Sequence, residues 1–472
     1  MVPSSLIRRF FPKPLIRLLA LILMATATAQ AQAFKAQGKA KRPDFVPAGY
    51  DDYRNMMDQL GITKMRPGRD GRAQDSTDSA FVNRFKDSLP DLMTFTDSTK
   101  VKSPDQWPRR RAEIVENFDR EIFGRVPKNA PKVTWDITKT VEAESGGIPI
   151  VTKTLVGTVQ NSDFPQIKVS IQANFTIPRN AAGRLPIILQ FGFGGGFGGS
   201  GGGANSWTQQ ALNQAWAYGT IVPNSIQGDN NGLREGVIGL TNNGQPRSPE
   251  DWGALRAWAW GVSQLIDYFE ANPSSGVDPA KVCITGVSRY GKAALVATAL
   301  ETRIAAGFIA SSGAGGAKLF RHDFGERLEN VASRGEYHWM AGNFLKYGAD
   351  EAKFGKKTVA DLPVDQHQLI ALCAPRPCFI SYGIVPGDPN WVDAPGSFMA
   401  TVLAGPAYRL LGKKDLGTPG KYLTDQMPPV STLIGGELAW RQHDGGHTNI
   451  PNFPAFFEWA KQYISTPGLI RK

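Results

Sequence analysis

From Leu185 onward the chain alternates short β-rich apolar runs with longer stretches whose apolar residues recur at helical spacing. A chain written this way buries itself as a mostly parallel sheet with helices on both faces. The expected strands are Leu185 to Phe193, Thr220 to Val222, Lys281 to Thr285, Gly307 to Ala310, Cys378 to Tyr382 and Leu438 to Arg441. Between them, Trp207 to Trp216, Asp251 to Phe269, Arg289 to Leu300 and Phe453 to Tyr463 have helical character. Leu255, Trp258, Val262, Leu265, Ile266 and Phe269 fall on one stripe of the second helix and mark it as core-facing.

Before this block, Arg109 to Phe123 has helical spacing, and Val151 to Val159 and Ile167 to Phe175 read as antiparallel strands leading into the sheet. Residues 50 to 100 show weak periodicity and are expected to form an irregular wrap, preceded by a polar linker over Phe34 to Phe45. The first residues have the layout of a secretory leader. Arg8, Arg9, Lys13 and Arg17 precede the apolar run Leu18 to Met24, and Ala29, Ala31 and Ala33 offer cleavage sites. The expected organisation is therefore a leader over 1–33, a linker and decoration over 34–104, and a catalytic domain over 105–472. The apolar run is shorter than the roughly 20 residues that span a bilayer, so stable membrane insertion is not expected once the leader is removed. A bacterial protein exported to the periplasm or the medium is the consequence, by the general route or, from the Arg8-Arg9 pair, the twin-arginine route.

The net charge of +11 includes four positive charges in the leader, and the remaining basic residues are scattered. That distribution suits a solvated surface, and no nucleic-acid partner is expected. Three cysteines make no disulfide framework; Cys373 and Cys378 can pair if their Cα atoms come within about 7 Å. No metal-ligand spacing occurs, and neither metal nor cofactor is expected.

Ser288 follows one expected strand and opens the next helix, with glycines at 286 and 291. A nucleophile at such a turn needs small neighbours, because its backbone is strained and its hydroxyl must stand clear of the sheet. Serine needs a base to take its proton, and the chain has five histidines. In the order serine, acid, histidine, the base lies after the last strand, where His447 sits in Asp444-Gly445-Gly446-His447; His443 is nearer the strand end and suits packing or capping. Asp388 follows the strand Cys378 to Tyr382 and is the expected acid, with Asp393 as rival and Glu301 and Asp323 still open. The glycine run Gly192 to Gly203 is either a loop offering N–H groups to an oxyanion or a mobile surface loop.

The segment Gly286-Val287-Ser288-Arg289-Tyr290-Gly291-Lys292 resembles the nucleophile motif of the glucuronoyl esterases, carbohydrate esterase family 15. The resemblance extends through Asp251-Trp252-Gly253-Ala254, Ser312-Gly313-Ala314-Gly315-Gly316, Phe324-Gly325-Glu326, Ala374-Pro375-Arg376-Pro377 and Gly445-Gly446-His447, over roughly residues 105 to 466. It implies an α/β-hydrolase that cleaves esters between the glucuronic acid side chains of xylan and lignin alcohols, its partner being a uronate-bearing polysaccharide or oligosaccharide. It also implies that Arg289 stabilises the oxyanion, that Lys292 and Glu326 bind sugar hydroxyls, and that Trp391 lines the uronate site. One departure is Ser311, which stands where many family members carry an acid, so the acid must come from elsewhere; the resemblance implies that some members use the later loop, which agrees with Asp388 and leaves Asp393 open. A xylan deacetylase and a non-catalytic carbohydrate-binding homologue are the competing readings.

Overall fold

The central sheet has ten strands, and its inner part explains the apolar runs of the sequence. A computed structural model of the chain describes residues 42–192 and 206–470. The expected leader and all of the glycine run after Gly192 lie outside the described residues. In chain order the strands are β1 (Ile62–Met65), β2 (Val133–Ser145), β3 (Ile148–Val159), β4 (Ser170–Pro178), β5 (Leu185–Phe191), β6 (Ala217–Ile221), β7 (Val277–Val287), β8 (Ile304–Ala310), β9 (Ala349–Ala352), β10 (Cys378–Tyr382), β11 (Leu433–Gly435) and β12 (Leu438–Gln442). The sheet order is β11-β12-β10-β8-β7-β5-β6-β4-β3-β2. Strands β12, β10, β8, β7, β5 and β6 run parallel; β4, β3, β2 and the edge strand β11 are antiparallel additions. This is the mostly parallel sheet expected from the alternating pattern, in the α/β-hydrolase architecture that the resemblance implies.

β10 is buried at every residue and β5 at all but one, as strands covered on both faces must be. On one face Phe308 of β8 and Phe379 of β10 pack against the helix Phe453–Ala460, with Phe308 stacked on Phe456 at 4.9 Å between ring centroids. The helix Ala254–Ala271 buries the whole expected stripe and more, and the Trp258 indole N–H donates to the Gln227 carbonyl at 2.8 Å. That bond removes the cost of burying its one polar atom.

Two segments are more regular than expected. β2 is exposed along most of its length although Val133, Trp135, Ile137, Val141 and Ala143 alternate with polar residues, and it pairs with β3 from Val133–Val159 to Ser145–Ile148. Gly146 and Gly147, both at positive φ, make the two-residue turn whose twist suits a tight hairpin. In the expected wrap, Asp51 caps the helix Asp52–Leu60, and β1 pairs with β9. From Asp51 on the chain forms one unit, in which Arg66 bonds Glu329 and Asp75 accepts from the Gly325 N–H.

All three cysteines are buried free thiols, so Cys373 and Cys378 are not bonded. Among the described residues no helix is long and apolar enough to cross a membrane, and no group of His, Cys, Asp and Glu is placed to hold a metal. Phe308→Ala is expected to cost about 3–5 kcal/mol through the cavity it leaves, read as a lower urea midpoint. Val141→Thr on exposed β2 should shift stability by no more than about 0.5 kcal/mol.

Candidate active site

Ser288 has φ 61° and ψ −129°, a conformation that non-glycine residues rarely adopt and that costs about 1–3 kcal/mol. It connects β7 to the helix Arg289–Leu300, and two backbone bonds hold it: its N–H donates to the Ala310 carbonyl at 3.1 Å, and its carbonyl accepts from the Lys292 N–H at 3.0 Å. Sterics account for both flanking glycines. A Cβ at Gly286 would lie 2.3 Å from the Tyr290 carbonyl oxygen, and one at Gly291 2.5 Å from that of Ala310. The second glycine falls at 291 because it is the helix residue that rides over the end of β8.

β7, β8, β10 and β12 are parallel, so their carboxyl ends share one edge of the sheet. Ser288, Ser311, Asp388 and His447 all follow those ends. His447 Nδ1 lies 2.7 Å from Asp388 Oδ1, which leaves Nε2 to exchange a proton. Asp388 is 2% exposed, and its other oxygen accepts from the Ser311 hydroxyl at 2.5 Å and the Gly383 N–H at 2.8 Å. Two residues after His447, the Asn449 amide donates to the Thr285 hydroxyl at 3.1 Å, tying the histidine loop to the strand that carries Ser288.

The rival residues have other partners. Asp393 is buried, bonds His322 Nδ1 at 2.6 Å and caps the helix Ala394–Leu410 through the Gly396 N–H. Glu301 pairs with Arg303, and Asp323 with Arg84 and Arg327. His443 bonds the Thr448 carbonyl and accepts the Gly445 N–H, and burial holds its imidazole below the usual range. It shapes the loop from which His447 projects.

Around the serine lie two charged groups. Arg289 donates to Asp229 Oδ2 at 2.7 Å and rests over the Trp339 ring at 5.3 Å. Asp229 also accepts from the Trp339 indole at 2.7 Å and lies 2.9 Å from His338 Nε2. Burial works to raise the Asp229 carboxyl, but the bonds from His338, Trp339 and Arg289 outweigh it and leave the group below the ordinary carboxylate range. Asp229 is the residue the sequence reading missed; it sits in the polar stretch Gly228-Asp229-Asn230-Asn231, which carries no motif.

The second group is Lys292 with Glu326, a buried ion pair at 2.7 Å in which Lys292 also donates to the Ser312 carbonyl and Glu326 accepts from the Ala314 N–H. Removing one partner of such a pair strands the other charge at about 3–5 kcal/mol. Substitutions there therefore report stability as well as binding. The Trp391 carbonyl accepts the Glu326 N–H at 2.8 Å, while its half-buried ring is approached by Arg69 at 5.9 Å, so Trp391 joins this cluster through its backbone and faces the N-terminal segment with its ring.

A family model described as glucuronyl esterase, fungi, matches residues 246–412. A carbohydrate esterase of an unknown prokaryotic organism is 31% identical over 422 residues, 82% of this chain and 92% of its own. A CE15 glucuronoyl esterase from Teredinibacter turnerae is 37% identical in structural alignment, with a TM-score of 0.78 over 87% of this chain and 98% of its own. The chain belongs to the glucuronoyl esterase family. A 4-O-methyl-glucuronoyl methylesterase from Schizophyllum commune is 30% identical over 354 residues, 72% of this chain and 78% of its own. Within this glucuronoyl esterase, the Ser311 hydroxyl is turned toward Asp388.

Asp388→Asn is expected to lower the rate of ester hydrolysis by about 10³–10⁴, because the amide favours the wrong imidazole tautomer. Ser311→Ala, which removes one bond to that carboxylate, should cost about tenfold in kcat. Asp229→Asn should lower kcat more than it raises KM, since it frees a guanidinium from its charged anchor. Steady-state kinetics on one ester with the three variants checks all three outcomes.

Proposed function

We propose that this enzyme hydrolyses esters of the glucuronic acid side chains of xylan, releasing the uronate and an alcohol, with Ser288, His447 and Asp388 as its catalytic residues. The observation that carries the reading is the strained Ser288 on the sheet edge that also bears the Asp388–His447 pair. His447 Nε2 takes the Ser288 proton as Oγ attacks the ester carbonyl. The negative charge that develops on the carbonyl oxygen is met by the Arg289 N–H and guanidinium, the latter positioned by Asp229 and Trp339. Collapse of the tetrahedral intermediate breaks the bond to the alcohol, which leaves with the proton from His447. Water, deprotonated by the same imidazole, then attacks the acyl-enzyme and frees the uronic acid. Asp388 orients the imidazole and steadies the imidazolium.

Lys292 and Glu326 bind the sugar hydroxyls in this scheme, and Trp391 borders the uronate site. The names of the related methylesterases support a uronate over a simple acyl group. The contact between Asp388 and His447 supports an acid from the later loop, which weakens the case for a deacetylase. The leader over residues 1–33 supports action outside the cytoplasm, where plant polysaccharide is met.

Purified enzyme should release acid from benzyl D-glucuronate faster than acetate from acetylated xylan, and Ser288→Ala should reduce the former at least about a thousandfold. Faster deacetylation would overturn the substrate; an unchanged rate in the serine variant would overturn the mechanism.

A further inference from the structure

Residues 69–75 lie in the irregular N-terminal part of the chain, and the hydrolysis described above gives them no task. The two ends of this segment are joined by a buried ion pair: Arg69 Nε lies 3.0 Å from Asp75 Oδ1, with side chains 7% and 9% exposed. Between the ends, the Ala73 N–H donates to the Asp70 carbonyl at 2.9 Å and the Arg72 N–H to Asp70 Oδ1 at 2.9 Å, while the Arg69 guanidinium also donates to the Ala73 carbonyl. The segment is therefore a closed loop. Its ends are held by a charge pair that salt screens far less than an exposed one.

This loop is fixed to the sugar cluster at several points. Asp75 Oδ1 accepts from the Gly325 N–H at 2.9 Å, one residue before Glu326. The Arg69 N–H donates to Asn330 Oδ1 at 3.1 Å, and the Arg69 carbonyl accepts from Asn330 Nδ2 at 2.8 Å. Gly71 lies against the Trp391 ring, since a Cβ there would be 3.5 Å from Cζ3, an ordinary van der Waals contact. The Arg69 guanidinium approaches the same ring at 5.9 Å. Gly325, at φ 58°, packs on the backbone of Trp391: a Cβ would lie 2.5 Å from the Trp391 carbonyl oxygen, which accepts the Glu326 N–H at 2.8 Å. Residues 69–75, 324–326 and 390–391 are thus stitched together, and a shift of the first displaces the other two.

We propose that the segment 69–75 is a positioning element of the sugar site: through the bond from Gly325 to Asp75 and the contact of Gly71 with Trp391, it sets where Glu326 and Trp391 stand against the glucuronate ring. Arg69, Gly71 and Asp75 touch no reacting atom. The assignment rests on the reading of Glu326 and Trp391 as the sugar-contacting residues. It makes the N-terminal part of the chain a determinant of which sugar is accepted. The groups that break the ester are held separately, by the Ser288 turn and the Asp388–His447 pair. Loosening the loop therefore weakens sugar binding and leaves the chemistry at Ser288 intact.

The test is KM and kcat for benzyl D-glucuronate in the wild type, Asp75→Ala, Asp75→Asn and Gly71→Val, with folding checked by circular dichroism. The rate at which a fluorophosphonate, which carries no sugar, labels Ser288 is measured beside them. Asp75→Ala should raise KM about tenfold while kcat and labelling stay within about twofold of wild type. Asp75→Asn keeps an oxygen for the Gly325 N–H and should bring KM back to within about threefold of wild type. Gly71→Val places branched carbons where a Cβ already touches the ring, and should raise KM several-fold with kcat unchanged. A folded Asp75→Ala enzyme with the wild-type KM, one that loses kcat and labelling in step with KM, or an Asn variant as impaired as the Ala variant overturns the proposal. If Asp75→Ala does not fold, Gly71→Val decides by the same split between KM and kcat. Failure of the hydrolytic reading shows separately, as a wild type that is labelled at Ser288 but does not turn over the glucuronate ester. Calorimetric titration of D-glucuronate then decides the role of the loop: affinity about tenfold weaker in Asp75→Ala than in the wild type upholds it, and equal affinity, or none in either, sinks it.

Discussion

The interaction on which the site depends is the buried carboxylate of Asp388. It takes three hydrogen bonds, from His447, the Ser311 hydroxyl and the Gly383 N–H, and is closed to water. A charge so placed would be costly without these donors, and with them it fixes one imidazole orientation. The His447 ring itself stays about a third exposed, which leaves its second nitrogen accessible to a substrate. The arrangement divides labour between a closed carboxylate and an open base. Ser311, which follows β8, contributes a hydrogen bond to that carboxylate without adding a charge.

The cations around Ser288 follow the same logic. Arg289 and Lys292 occupy the first turn of one helix, and neither is left to solvent alone. Asp229 fixes the first and Glu326 the second, from loops far apart in sequence, while the Trp339 ring is approached by both. Arg289 remains about half exposed beside the nucleophile, whereas Lys292 is buried with its carboxylate. The two cations therefore differ in what they can do: one can meet transient charge, and the other can order a polar pocket.

Much of this was legible beforehand. The boundaries of the helix Arg289–Leu300 and of β10 coincide with the apolar pattern because both elements are buried on nearly every side. Ser288 was visible because its strain demands glycines nearby, and His447 because the order of residues in the chain leaves few histidines after the last strand. β2 was missed although Val133, Trp135, Ile137, Val141 and Ala143 alternate with polar residues: the strand is mostly solvent-facing, and its pairing is set by the hairpin turn. The Ala394–Leu410 helix was also missed, since Pro395 in its first turn and Pro406 in its interior interrupt the helical pattern.

Sequence alone determined the chemistry on offer: a serine in a turn that only small neighbours permit, a histidine late in the chain, and a sheet whose strands must run parallel to bury their apolar runs. The tertiary structure decided which carboxylate the histidine holds and which acid steadies Arg289. Those choices depend on distances between loops separated by tens to hundreds of residues. Polar residues in loops have no periodicity to reveal a partner, and their pairing is settled by which strand ends the sheet order brings side by side.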